Sequence, residues 1–339
     1  MSMPQDRRSF IGGLMLAGLL PGGCASASPP PPPRVGGPWT AFSARFLARD
    51  GRIVDTGNGG ISHSEGQGYG MLLAEAAGDR AGFDKLWGWT SHALSRTDVR
   101  LFSWRFDPAA ANPVADPNDA SDGDILIAWA LLRASIRWKV AEYARQSAAI
   151  RDAIRKHLIR QIGSRTVLLP GIQGFETPGL LTLNPSYYIW PALDAFLAID
   201  GAGAWGAVLS DGEQILAEAR FGANKLITDW IEIDSSGVRP ARGRAPQFGF
   251  DAVRVPLYLA WGKRRAALGP FRDFWSDCLS RHVPIPAWVD VVSGAQAPYA
   301  LSDGGMAVVD LTLGRKPRIV RGGDYFSTAL GALAALAAI

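Results

Sequence analysis

The sequence predicts an all-α fold in which an inner circle of helices is walled in by an outer one, and three observations carry that prediction. Apolar residues recur at helical spacing in about ten successive segments joined mostly by short loops. The strand-like pieces, "TVLLPG" and "DWIEID", are few and isolated, and no stretch alternates strand with helix as a doubly wound sheet requires. Some segments are apolar nearly all round and the rest carry charge on one side, which divides the helices into a buried and a flanking population.

In chain order the segments are "WTAFSARFLARDG" from Trp39, "GYGMLLAEAAGD" from Gly68, "FDKLWGWTSHALS" from Phe83 and "ILIAWALLRASIRW" from Ile125. There follow "EYARQSAAIRDAIRKHLIRQI" from Glu142 to Ile162, "YYIWPALDAFLAI" from Tyr187, "AWGAVLSDGEQILAEARFG" from Ala204, "VRVPLYLAWGK" from Val253 and "FRDFWSDCLSRH" from Phe271. An eleventh helix is expected within "AQAPYALSDGGMAVVD", and "YFSTALGALAALAA" from Tyr325 closes the series. That last run is too short and too rich in Ala and Gly for a membrane anchor and reads as a core helix. Two long loops, Phe102 to Asp124 and Thr228 to Asp251, combine aromatics with acids, and loops of that length in compact domains tend to carry function.

The chain organises into three parts: residues 1–27, 28–35 and 36–339. The first reads as a twin-arginine export signal: Arg7 and Arg8, then Phe10 and an apolar stretch from Ile11 to Leu20 that is short for a bilayer span. Two processing points are readable, a lipoprotein acceptor at Cys24 and ordinary cleavage after "ASA" at Ala25 to Ala27. Membrane contact, on this reading, comes only through a lipid on Cys24, and the location is the periplasm or the exterior. Residues 28–35 form a proline-rich spacer, and 36–339 the folded domain. With two cysteines, Cys24 and Cys278, disulfides do not hold the fold.

With 47% hydrophobic and 19% charged residues, the 339-residue chain has material for a large core. Its net charge of +4 comes from scattered arginines without a basic block, which argues against a nucleic-acid partner. The four histidines are isolated, and there is no HExxH pair, Cys/His cluster, Walker loop, dinucleotide fingerprint or GxSxG elbow, so neither a metal nor a cofactor is expected. "GNGG" at Gly57 to Gly60 reads as a tight turn.

Carboxylates remain as the carriers of chemistry. Glu65 joins the glycine-rich "HSEGQGYG" to an apolar helix, Asp122 and Asp124 precede the helix at Ile125, and Asp251 lies one helical turn before Arg254. Singly, these read as a helix-dipole charge, an N-cap (Ser121 included) and a surface ion pair. Jointly, acids opening several inner helices at one rim converge on one cleft. Trp104, Tyr187, Trp230, Phe248 and Phe250 offer flat faces for sugar rings, and the glycines around Glu65 let the backbone approach a bound sugar chain. Paired carboxyls, aromatic platforms and no metal are the equipment of glycoside hydrolysis.

The stretches "SEGQGYGMLLA", "ASDGDILIAWALLRASIRW", "LNPSYY" and "GFDAVRVPLYLAW" resemble the motif set of glycoside hydrolase family 8, in the family's order and from about Gly36 to the C-terminus. The resemblance implies an (α/α)6 barrel and an inverting endo-hydrolase of β-1,4-glucan, with the periplasmic cellulases of bacterial cellulose synthesis as the nearest type and the cellulose synthase machinery as a partner. It implies Glu65 as general acid, Asp251 as base and Asp122 as the acid steadying the distorted sugar. Tyr187 and Arg254 would line that subsite and Trp104 would stack on a more distant glucosyl unit. The chain is expected to act as a monomer. Xylan and chitosan are alternative substrates of the same fold, and Asp116, Asp119 and Glu232 are the loop acids that would meet a cationic chitosan. A non-catalytic glucan-binding subunit is the remaining alternative. Phe250 stands where relatives often have tyrosine before the base, so a hydroxyl is missing there. Because a helix N-terminus favours an ionised carboxylate, an ionised Asp122 is expected to help Glu65 hold its proton.

Overall fold

The computed structural model describes residues 37–339. The export signal, Cys24 and the spacer lie outside the described residues. Eleven α-helices are present among the described residues: α1 (Pro38–Phe46), α2 (Ser64–Ala77), α3 (Arg80–Ala93), α4 (Ser121–Trp138), α5 (Ala141–His157), α6 (Trp190–Asp200), α7 (Gly203–Glu218), α8 (Arg254–Trp261), α9 (Gly269–Ser280), α10 (Asp303–Thr312) and α11 (Tyr325–Ala337). Each falls within or overlaps an expected segment, the eleventh included.

Packing sorts them into two rings. α2 packs on α4, α4 on α6, α6 on α8, α8 on α10, α10 on α11, and α11 returns to α2. Outside this circle α1 covers α2 and α11, α3 covers α2, α5 covers α4, α7 covers α6 and α9 covers α10. The result is the (α/α)6 barrel of inner and outer helices. Between α10 and α11 the outer position is taken by the non-helical connection 313–324. The inner helices are those that are apolar all round: α4 buries Ile125 to Leu132 without interruption, and α11 buries every residue from Ser327 to Ala334. Leu333 is fully buried, and its truncation to Ala would cost about 2–5 kcal/mol. No helix among the described residues is long and apolar enough to cross a membrane.

Local chemistry sets the helix ends. His63 Nδ1 accepts the Gly66 amide and opens α2, and Gly78 closes it at φ 76°. Asp79 opens α3, Ser302 opens α10 and Asp324 opens α11, each through a side-chain oxygen on an orphan amide. Gly68 of α2 and Gly123 of α4 serve the packing of the two helices. A Cβ on Gly68 would come within 2.4 Å of Leu126 Cβ, and one on Gly123 within 2.0 Å of Ser64 Oγ. These small residues let α2 and α4 approach closely and bring Glu65 beside Asp122.

The structure corrects three local readings. The fifth helix stops at His157, because Ile159–Ile162 turns back on Arg165–Leu168 as a hairpin whose tight turn uses Gly163 at φ 58°. The sixth starts at Trp190, since Asn184 accepts the Ser186 amide and winds Pro185–Tyr187 into a short 3-10 turn. The strand-like pieces are not isolated. "TVLL" belongs to that hairpin, and Ile231–Asp234 is the centre of an antiparallel sheet ordered Gly237–Pro240, Ile231–Asp234, Leu180–Leu183, Glu176–Thr177. One partner, Gly237–Pro240, is its own hairpin arm, but the other, Leu180–Leu183, lies about 50 residues earlier, beyond the reach of a periodicity argument.

Candidate active site

Arg254, the first residue of α8 and only 4% exposed, is the hub of a polar cluster at one rim of the inner ring. Its Nη1 lies against Glu65 Oε1 and 3.6 Å from Asp122 Oδ2, while Nη2 donates to Asp251 Oδ1 at 2.5 Å. One guanidinium thus touches three carboxyls carried by α2, α4 and the turn before α8. A buried guanidinium stays charged, and its planar fork suits several oxygens at once. The Asp251–Arg254 pair is therefore no surface ion pair.

Each carboxyl is held by further groups. Tyr69, one helical turn beyond Glu65, donates its hydroxyl to Glu65 Oε1 at 2.7 Å. The same hydroxyl lies 3.2 Å from Tyr258 Oη and accepts from Arg254 Nη1 at 3.3 Å. Asp122 Oδ1 accepts the Gly123 amide at 2.8 Å. Asn184 Nδ2 donates to Asp251 Oδ2 at 3.0 Å. Ser186 Oγ accepts from Arg254 Nη2 at 3.1 Å. Neither Ser121, Asp122 nor Asp124 caps α4: its N-cap is Ala120, and Asp124 is buried, accepting the Phe102 amide at 2.9 Å.

Burial raises two of these carboxyls, Asp122 and Asp251. Asp122 is pushed up to about 7, by desolvation first, with the Gly123 amide opposing and the charge of Asp251 adding. Asp251 rises to about 6 through desolvation, held down by Asn184, Arg244 and Trp230. Burial of Asp122 opposes the ionised form that the sequence suggests for it. Instead Arg254 stands between it and Glu65. Desolvation also raises the Tyr187 phenol well above its ordinary value, with Asp122 and Asp251 adding. Carboxyls that exchange protons near neutral pH in one cluster can run general acid–base chemistry.

The aromatics divide. The Tyr187 ring has the Arg254 guanidinium 6.0 Å from its centroid. Trp104 sits beside Glu65, its carbonyl accepting the Ser64 amide at 3.0 Å and its indole donating to Asp116 at 2.8 Å. Trp230 is stacked on Phe175 with ring centroids 5.7 Å apart and has Arg244 3.9 Å above it. Phe248 departs from the expected platform role: it is core, packed on Phe271 and Trp275. Phe250 is half exposed against Phe326, and Asn184 and Arg254 supply the side-chain hydrogen bonds to the Asp251 carboxyl. The loop acids proposed for chitosan are occupied: Asp119 is buried with Arg96 and the Ile172 amide, Glu232 with Arg239 and Arg242.

Sequence reasoning passed over Tyr69, Asn184, Ser186 and Asp229. The i,i+4 spacing of Glu65 and Tyr69 was a readable signal, and Asn184 and Ser186 lie within "LNPSYY". Nothing in the sequence marked Asp229.

The comparisons with known proteins agree with this fold. The chain is similar to an endoglucanase of Cellulomonas uda (44% identity, covering 81% of this chain and 77% of the relative). It is also similar to a probable endoglucanase of Novacetimonas hansenii (39% identity, 88% and 89%). Among solved structures, the endoglucanase Cel10 of Klebsiella pneumoniae superimposes with a TM-score of 0.85 at 42% identity, over 88% of this chain and 98% of that one. The model of glycosyl hydrolases family 8 matches residues 15–338, and to that family of glycoside hydrolases this chain belongs.

Proposed function

We propose that the protein is an endo-1,4-β-glucanase, a cellulase that cleaves internal bonds of β-1,4-glucan by inversion. The observation that carries the reading is the single buried Arg254 gathering Glu65, Asp122 and Asp251. Glu65 protonates the leaving glycosidic oxygen, Asp251 takes the proton of the attacking water, and Asp122 steadies the distorted sugar at the cleavage point. Tyr187 and Arg254 line that subsite, and Trp104, fixed by Asp116, stacks on a glucosyl unit farther along. The relatives' endoglucanase names support β-glucan as substrate. Chitosan is disfavoured, since Asp119 and Glu232 are already paired with arginines.

Substrate entry has a specific task. Arg254 contacts the Glu65 carboxyl, and a sugar bound between them must displace or share that contact before Glu65 can deliver a proton. The N-terminal twin arginine supports export, and action on nascent cellulose beside its synthase is the role we assign. Reducing-sugar release from carboxymethyl-cellulose, xylan and chitosan, with the anomer of the first product followed by NMR, tests substrate and stereochemistry together. The α-anomer from carboxymethyl-cellulose or cello-oligosaccharides is expected. β-Anomer product would overturn inversion, and faster release from chitosan would overturn the substrate. If wild type and Glu65→Gln are equally inert on every β-glucan, the glucan-binding subunit is the better description.

A further inference from the structure

Asp229 stands just before the strand Ile231–Asp234, yet its bonds reach forward to the segment that carries Asp251. Its amide donates to Gln247 O at 2.8 Å. Its Oδ1 accepts three amides in turn: Gly249 at 3.1 Å, Asp251 at 3.1 Å and Ala252 at 2.7 Å. A Cβ on Gly249 would fall 2.7 Å from Asp229 Oδ2, so the glycine is what lets the backbone close over the carboxyl. The Gly249 and Asp251 carbonyls then accept the Val253 and Arg254 amides at 3.0 Å each, and α8 begins. The turn is a nest of amides wrapped on one carboxyl.

We propose that Asp229 is the positioning residue for the base, fixing the backbone from which the Asp251 carboxyl reaches Asn184 and Arg254. This inference rests on the assignment of Asp251 as base. A general base works only within hydrogen-bond reach of the water it deprotonates, and a displacement on the order of 1 Å can cost about 100-fold in rate. Other elements bring Glu65, Asp122 and Tyr187 to the site, and the Arg254 guanidinium is held independently by Tyr69 and Ser186, so the effect of the turn is expected chiefly on kcat. Burial, with the Asp251 charge adding, pushes Asp229 up to about 7, so a neutral amide that keeps an oxygen at Oδ1 is a fair replacement.

The test compares Asp229→Ala, Asp229→Asn and Gly249→Ala on cello-oligosaccharides, with Asp251→Asn as the control. Asp229→Ala is expected to lower kcat about 100-fold with KM within about 2-fold, and Asp229→Asn to regain at least about 10-fold of that loss. Wild-type kcat in Asp229→Ala, or an Asn variant as slow as the Ala variant, overturns the proposal. If Asp229→Ala does not fold, Gly249→Ala decides: its methyl pushes on the carboxyl, so a fall in kcat at unchanged KM supports positioning and an unchanged kcat overturns it. An active Asp251→Asn would remove the base assignment itself, an outcome distinct from a dead Asp251→Asn beside unaffected Asp229 variants.

Discussion

Two three-way charge clusters in this barrel are near inversions of one another. At the cleft, one cation, Arg254, serves three carboxyls, Glu65, Asp122 and Asp251. On the outer wall, one carboxyl, Asp200 at the end of α6, serves three donors: Arg151 and Arg155 of α5, and the Trp205 indole of α7. The outer cluster has more positive donors than acceptors, and Arg151, Trp205 and Arg155 together outweigh desolvation and lower Asp200 below the usual range. The cleft has more acids than cations, and desolvation lifts Asp122 to about 7 and Asp251 to about 6. The same building blocks thus tie three helices in one place and keep exchangeable protons in the other.

Substitution should separate the two. Glu65→Gln or Asp251→Asn should lower kcat about 10³-fold, near 4 kcal/mol, while glucan binding, followed by titration calorimetry, persists. Asp200→Asn should leave kcat unchanged and cost about 2 kcal/mol of stability, a fall of about 4 °C in the thermal midpoint by calorimetry. Asp122→Asn should do the reverse, raising the midpoint by an amount worth about 1 kcal/mol while activity drops, because it removes a buried charge that chemistry required. A midpoint that falls in Asp122→Asn would break the contrast.

Acidity gives the finest test. A carboxyl whose folded value is raised binds its proton more tightly in the folded state, so its cost to stability is absent below about pH 4 and grows as pH rises through about 6 and 7. Asp200, lowered, contributes above about pH 4 and is lost below it. The thermal midpoint should therefore be higher at pH 5 than at pH 8, with a smaller difference in Asp122→Asn.

What the sequence disclosed follows the range of its interactions. Helices rest on contacts three and four residues apart, so their order, their two populations and the acids opening α2 and α4 were readable. The pairing of Ile231–Asp234 with Leu180–Leu183 and the amides on the carboxyl of Asp229 depend on partners that only folding brings near. Phe248 looked like a platform because an aromatic beside an acid has the same one-dimensional appearance in a core as in a cleft. Asp119 and Glu232 looked available because their arginines, Arg96, Arg239 and Arg242, gave no sign of being aimed at them.

The closure of the inner ring by α11 on α2 also governs time. Tyr325 packs edge-on to His63 with ring centroids 5.4 Å apart, so α11, far along the chain from α2, seats the residue that opens α2 and presents Glu65. Bringing ends so distant along the chain together is an entropically late step in folding. Until it occurs, Glu65 and the His63 that opens its helix lack the wall that α11 supplies.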